Sequence, residues 1–185
     1  MFRPTDVTHD IDEIRAVIEP LFPKLREHGQ LSVTSRPGAK DPLTDSIGWR
    51  PEDTSESEYN VVNEPFKDGP VEELLKKLPF TCGRVRIMLM RPKSSLSIHA
   101  DSTRRYHYAV QTKPDCFIVE MEGDEGKFHH IPADGRIYEM DAFRNHTAIN
   151  TGRSERVHIV ICSADEEEYQ GADKVGRVES VTSAA

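Results

Sequence analysis

Two residues separated by a single alanine carry the strongest chemical signal in the sequence: His99 and Asp101, in the run SIHAD. In an extended chain, residues two apart project to the same side. An imidazole and a carboxylate at that spacing can bind one ion from adjacent coordination positions. A further ligand of the same kind stands at His146, in RNHTAIN at the head of a later expected strand. Strands distant in sequence become neighbours in an antiparallel core, so His146 can close that face. Two histidines and one carboxylate leave three coordination positions vacant. Such a set suits iron(II) that must take both a cosubstrate and O2, whereas zinc more often sits in a closed, four-coordinate site. His-x-Asp alone is a weak motif, and its weight comes from the residues around it.

Arg156 lies on the next expected strand, RVHIVIC. An arginine there can form a bidentate pair with a carboxylate deep in a barrel. Alternation places Arg156, His158, Val160 and Cys162 on one face and Val157, Ile159 and Ile161 on the other. The second face is wholly apolar, so Arg156 points either to solvent or into a cavity, and pattern alone leaves both open. If it points inward, His158 lines the same cavity. Arg105 and His107 share a strand face, with Arg104 facing the other way. Arg84, Arg86 and Arg91 precede the metal segment, as a solvated edge or as contacts for a substrate carboxylate. Trp49, the single tryptophan, is either a packing anchor or a substrate-facing wall. His129 and His130 are consecutive and cannot both face the core.

The elements that must position these residues fall into two halves. Asp10 to His28 places Ile11, Ile14, Val17, Ile18, Leu21 and Leu25 on one helical stripe, which Pro20 and Pro23 kink or break late. Gln30 to Lys67 is polar and rich in turn formers, with Leu31 to Thr34 as a short strand; a long loop of this kind is often a lid. PVEELLKKL, from Pro70 to Leu78, is a short amphipathic helix with proline in its first turn. From Cys82 onward, short apolar segments alternate with turns, which predicts seven or eight strands of a sandwich or barrel. The expected organisation is one domain over 1–185: a helical and irregular part at 1–81, a mainly β core at 82–163 and a loose tail at 164–185.

Composition narrows the function classes. A net charge of −8 and a pI near 5.5 argue against a nucleic-acid partner, since phosphate contacts need clustered lysine and arginine. The arginines between Arg84 and Arg105 nevertheless form a local cationic field that suits a small anion. Three cysteines, widely spaced and odd in number, do not form a disulfide framework, and a reducing cytoplasm is expected. No apolar run approaches a membrane span and the first residues hold no signal core, so no membrane partner is expected.

The run IMLMRPKSSLSIHADSTRRYHYAVQT, followed by IYEMDAFRNHTAINTGRSERVHIVI, resembles the 2-oxoglutarate- and iron(II)-dependent oxygenases, in their aspartyl/asparaginyl β-hydroxylase branch. The likeness rests on His99-Ala-Asp101, the distal His146 with Asn150, Arg105-Tyr106-His107 and Arg156, and it covers roughly residues 82 to 163. It implies a double-stranded β-helix, or cupin-like jelly roll, with N-terminal helices. It also implies iron(II) on His99, Asp101 and His146, with 2-oxoglutarate on the metal and its far carboxylate on Arg156. Arg105 and His107 would contact the carboxylate of cosubstrate or substrate, and the resemblance turns Arg156 inward. The implied reaction consumes O2, hydroxylates a C–H bond of an amino acid, peptide side chain or small acid, and releases succinate and CO2. Vertebrate peptidyl hydroxylases of this branch lack the triad carboxylate that Asp101 supplies here, and no extended peptide-processing segment is evident; both departures weigh against a protein substrate. Two rival readings use the same residues: a cupin-like metalloenzyme without 2-oxoglutarate, and a non-enzymatic jelly roll that binds an anion through its arginines.

Overall fold

The computed structural model describes residues 2–166. Strand β1 (Phe2–Thr8) is followed by α1 (Ile11–Ile18) and α2 (Phe22–His28). Asp10 caps α1 by accepting from the backbone N–H groups of Asp12 and Glu13. Ile14 and Ile18, one turn apart, are its buried residues. Pro20 cannot donate to the preceding turn, and the helix passes through a 3-10 turn, Glu19–Leu21, into α2. Gly29, at φ 75°, ends α2 by donating to the Leu25 carbonyl.

The expected lid begins with two short strands, β2 (Gln30–Ser32) and β3 (Thr34–Ser35). β3 pairs with β4 (Val61–Val62), which returns the chain from the long loop between them. Asn63 ties the base of this strap, donating to the carbonyls of Ser32 and Pro42 and accepting from Ser35 Oγ. α3 (Pro70–Lys76) then leads into eight strands: β5 (Cys82–Met90), β6 (Ser94–Ser95), β7 (Arg105–Gln111), β8 (Cys116–Glu122), β9 (Glu125–His129), β10 (Arg136–Met140), β11 (His146–Asn150) and β12 (Arg156–Ser163).

These strands pair antiparallel, and the chain passes back and forth between two sheets. One sheet runs β1-β10-β7-β12-β5-β2 and the other β6-β11-β8-β9. That alternation is the double-stranded β-helix. The helices cover the outer face of the larger sheet. There Ile14, Ile18, Leu25, Val71 and Leu74 form one core with Val85, Ile87, Tyr108, Val157, Ile159 and Ile161. Because strand side chains alternate, the residues between these point inward, among them Arg84, Arg86, Arg105, His107, Arg156 and His158. A smaller apolar cluster of Ala109, Ile118, Ile131, Met140 and Ala142 lies apart from this core.

Three local features differ from the sequence reading. β1 falls within residues read as helical or irregular; it is an edge strand holding Pro4, paired among the described residues with β10 alone, so it lacks the two-sided apolar pattern. SIHAD is no regular strand: His99 makes an isolated bridge to His146 and its neighbours are irregular. Trp49, read as an anchor or a wall, is 85% exposed. Among the described residues, no helix is long and apolar enough to cross a membrane. The tail expected over 164–185 lies outside the described residues beyond Glu166.

Candidate metal centre

The three ligand candidates meet because the backbone pairs them. His99 N donates to the His146 carbonyl (3.0 Å) and His146 N donates to that of His99 (2.8 Å). This reciprocal pair sets the two residues opposite each other, with ring centroids 4.4 Å apart. Asp101 N donates to the Ala142 carbonyl at 2.8 Å, which fixes the carboxylate beside them. Asp101 Oδ2 lies 3.6 Å from His146 Nε2. One ligand atom from each of the three residues lies within 4.8 Å of the others. Bonds of about 2.0–2.2 Å to a single ion place neighbouring ligand atoms roughly 3 Å apart, a spacing that small side-chain rotations reach.

The tautomers are set for ligation. His99 Nδ1 lies 2.8 Å from the Ser97 carbonyl, and His146 Nδ1 lies 2.9 Å from that of Arg144. A carbonyl only accepts, so each Nδ1 carries the proton and each Nε2 keeps its lone pair. Burial lowers the His146 pKa, against the pull of Asp101. Burial alone would raise that of Asp101, but Arg105, His146, His99 and Arg86 together hold it below the usual carboxylate value. All of these effects favour the forms that bind a metal.

Arg105 is committed close by. Its Nη2 lies 3.0 Å from Asp101 Oδ1 and 3.3 Å from Glu56 Oε1, while Nη1 donates to the carbonyl and hydroxyl of Thr103. Glu56 is 3% exposed and comes from the strap. Sequence reasoning missed it: a glutamate in the polar run SESE carries no periodic signal.

Further along the inward face, Arg156, His107 and His158 form a second cluster. Arg156 is buried, and its only partner among the described residues is His158. Its Nε and Nη2 lie 3.1 and 2.8 Å from the two nitrogens of that ring. A neutral imidazole has one acceptor nitrogen, so one contact is a hydrogen bond and the other a close approach. Burial pushes the Arg156 pKa down to about 10. Neither nitrogen of buried His107 has a hydrogen-bond partner among the described residues. Burial and the Arg156 charge hold both His107 and His158 well below the ordinary histidine value.

The remaining candidates separate. Arg84 is buried and donates to the carbonyls of Ser46 and Gly48, with its guanidinium 5.6 Å from the Tyr59 ring centroid, so it pins the strap. Arg86 makes longer contacts to Gln30 Oε1 and the Gly48 carbonyl, and its buried Nε has no partner. Burial and Arg84 push its pKa down to about 10. Arg91 is exposed and donates to the Arg26 carbonyl of α2, on the outer side of the sheet, so the structure does not bring it to the site. Trp49 contributes no buried wall. His129 pairs with Glu120, and His130 meets the Cys116 carbonyl.

No protein-family model matches the chain, and no curated protein matches it by sequence. Solved structures do. AviO1 from Streptomyces viridochromogenes Tue57 superposes with a TM-score of 0.53 over 90% of this chain and 90% of that one, at 15% identity. EvdMO1 gives 0.52 over 86% of this chain and 46% of that one, at 18% identity. An oxidoreductase of the 2OG-Fe(II) oxygenase family from Burkholderia pseudomallei gives 0.49 over 86% and 79%, at 14% identity. The first two share the fold. At these identities the role of each residue rests on this chain's own geometry.

Proposed function

We propose that the chain is an iron(II)- and 2-oxoglutarate-dependent dioxygenase that hydroxylates a C–H bond of a carboxylate-bearing substrate: an amino acid, a peptide side chain or a small acid. One observation carries the reading. The inward face that holds a His-Asp-His set also holds Arg156, a buried guanidinium with no carboxylate among the described residues, and His107, whose ring nitrogens have no partner. A buried unpaired cation and orphaned polar atoms are costly, at several kcal/mol for an ion, unless a ligand completes them. A dianionic chelator that reaches from the metal to Arg156 does so.

The residues fit both groups. His99 and His146 would hold the metal through Nε2 and Asp101 through Oδ2, leaving the remaining positions to the cosubstrate and O2. When bound, iron(II) with 2-oxoglutarate and O2 supplies an oxidant able to break an unactivated C–H bond, with succinate and CO2 as coproducts. Arg156 would take the far carboxylate as a two-pronged donor, and His107, neutral at physiological pH, would add one N–H donor. Arg86, inward-facing and without a carboxylate partner among the described residues, would receive the substrate's carboxylate. The strap is held on that side by Arg84, which donates to the Ser46 and Gly48 carbonyls.

The test is succinate release from 2-oxoglutarate over a panel of amino acids, acidic peptides and small dicarboxylates. The proposal expects substrate-stimulated, iron-dependent succinate that is lost in Arg156→Ala. Turnover of any substrate without 2-oxoglutarate would contradict it and favour a cupin-like enzyme of another kind.

A further inference from the structure

Arg105 donates through one nitrogen to two carboxylates, and one of them comes from outside the barrel. Nη2 lies 3.0 Å from Asp101 Oδ1 and 3.3 Å from Glu56 Oε1. Asp101 is therefore divided: Oδ1 is held by Arg105 while Oδ2 lies 3.6 Å from His146 Nε2. A carboxylate with one oxygen committed to a guanidinium ligates through the other.

Glu56 is seated tightly. It opens the 3-10 turn Glu56–Glu58 and is 3% exposed. Its backbone carbonyl presses on β5 at Gly83, where an added Cβ would lie 2.5 Å from the Glu56 oxygen. Only glycine allows that approach. The turn is thus docked on the sheet by its backbone and on Arg105 by its side chain.

We infer that Glu56 is a positioning residue of the metal centre: through Arg105 it holds Asp101 as a one-oxygen ligand and couples the strap to metal binding. The inference rests on the metal-centre reading above. Two charges act together. With the Glu56 carboxylate in place, Arg105 is shared, and its positive charge beside a divalent ion is offset. With an uncharged side chain substituted at position 56, the full guanidinium charge falls on Asp101, which draws electron density from the ligand and repels the ion. Partners of this kind, one step removed from the metal, typically change affinity by about 10- to 100-fold. By linkage, metal binding in turn stabilises the docked strap by the same factor.

The experiment is Mn(II) binding to the full chain, followed by electron paramagnetic resonance, in wild type, Glu56→Gln, Glu56→Asp and Glu58→Gln. Glu56→Gln keeps the shape and removes the charge, and should weaken Mn(II) binding about 10- to 100-fold. Glu56→Asp keeps the charge on a shorter arm, so it should fall between Gln and wild type; it also serves if the Gln variant does not fold. Glu58 accepts from Ser55 N within the same turn but does not face Arg105, so Glu58→Gln should bind as wild type does. Equal affinity of the Glu56 variants and wild type would overturn the inference alone. Equal weakening by Glu56→Gln and Glu58→Gln would assign the effect to the turn, and would overturn it too. A wild-type chain that takes up no Mn(II) would overturn the metal centre, and this inference with it.

Discussion

Arg156 is a charge whose cost to the fold is visible before any ligand arrives. It is 6% exposed, sits against a neutral imidazole, and burial brings its pKa down to about 10. Replacing a buried, unpaired ion by an apolar side chain of similar length removes that cost. Arg156→Met should therefore raise the stability of the ligand-free protein, by about 1–3 kcal/mol, while weakening 2-oxoglutarate binding at least tenfold. Thermal denaturation and a cosubstrate titration on the same variant read both effects. A fall in stability together with unchanged cosubstrate affinity would make Arg156 a structural residue. The proposed ligands should behave oppositely: His146→Ala is expected to abolish metal uptake and leave the fold intact, as seen by circular dichroism and metal analysis. The positions were partly legible in sequence, because His-x-Asp, a distal histidine and an arginine alternating against an apolar face survive as linear patterns, although alternation left that arginine's direction open between solvent and cavity. Arg105 shows the limit: its position was legible and Asp101 lies four residues before it, but Glu56 comes from a separate segment, and no spacing rule links that pair.

The elements that deliver the site differ in how much they show in sequence. Seven of the eight strands from β5 to β12 follow the run of short apolar segments after Cys82, β6 (Ser94–Ser95) being the exception, and the α1–α2 break follows Pro20. β1 escaped because an edge strand with proline needs only one partner, and β4 and β6 because two-residue strands carry no period, whereas β2 and the start of β3 fall in the short strand expected over Leu31 to Thr34. The bridge between His99 and His146 escaped because two backbone hydrogen bonds, rather than a strand, create it. At this scale the strap is the element to test. Gly83→Ala forces a Cβ toward the Glu56 carbonyl, at 2.5 Å without rearrangement, so the 3-10 turn must lift from β5. The expected outcome is faster limited proteolysis within residues 46–60, with the β core still protected. Unaltered cleavage would show that the strap is not held at Gly83. A gentler check on the helical layer is Asp10→Ala, which removes the cap of α1 and should cost about 1 kcal/mol in denaturant unfolding.

The whole molecule is a barrel with an acidic exterior, a net charge of −8, and inward-facing arginines and histidines. That arrangement makes stability depend on pH in a definite direction. His107 and His158 are neutral in the folded protein, held well below 6.5 by burial and by Arg156, while in the unfolded chain they titrate near 6.5. The unfolded state therefore binds more protons below that pH. The stability of the metal-free protein should be intact above about 6.5 and fall as the pH drops below it, with each histidine adding a slope of up to about 1.4 kcal/mol per pH unit. His107→Gln should flatten the profile between pH 6.5 and 5. The central claim, that His99, Asp101 and His146 share one ion and leave it open to a chelator, has a more direct test. Wild-type protein is titrated with iron(II) under anaerobic conditions, 2-oxoglutarate is then added, and the visible spectrum is recorded. Uptake of one ion per chain is expected, with a charge-transfer band that appears only with 2-oxoglutarate. Failure to bind iron, or a bound ion whose spectrum does not respond to 2-oxoglutarate, would contradict it.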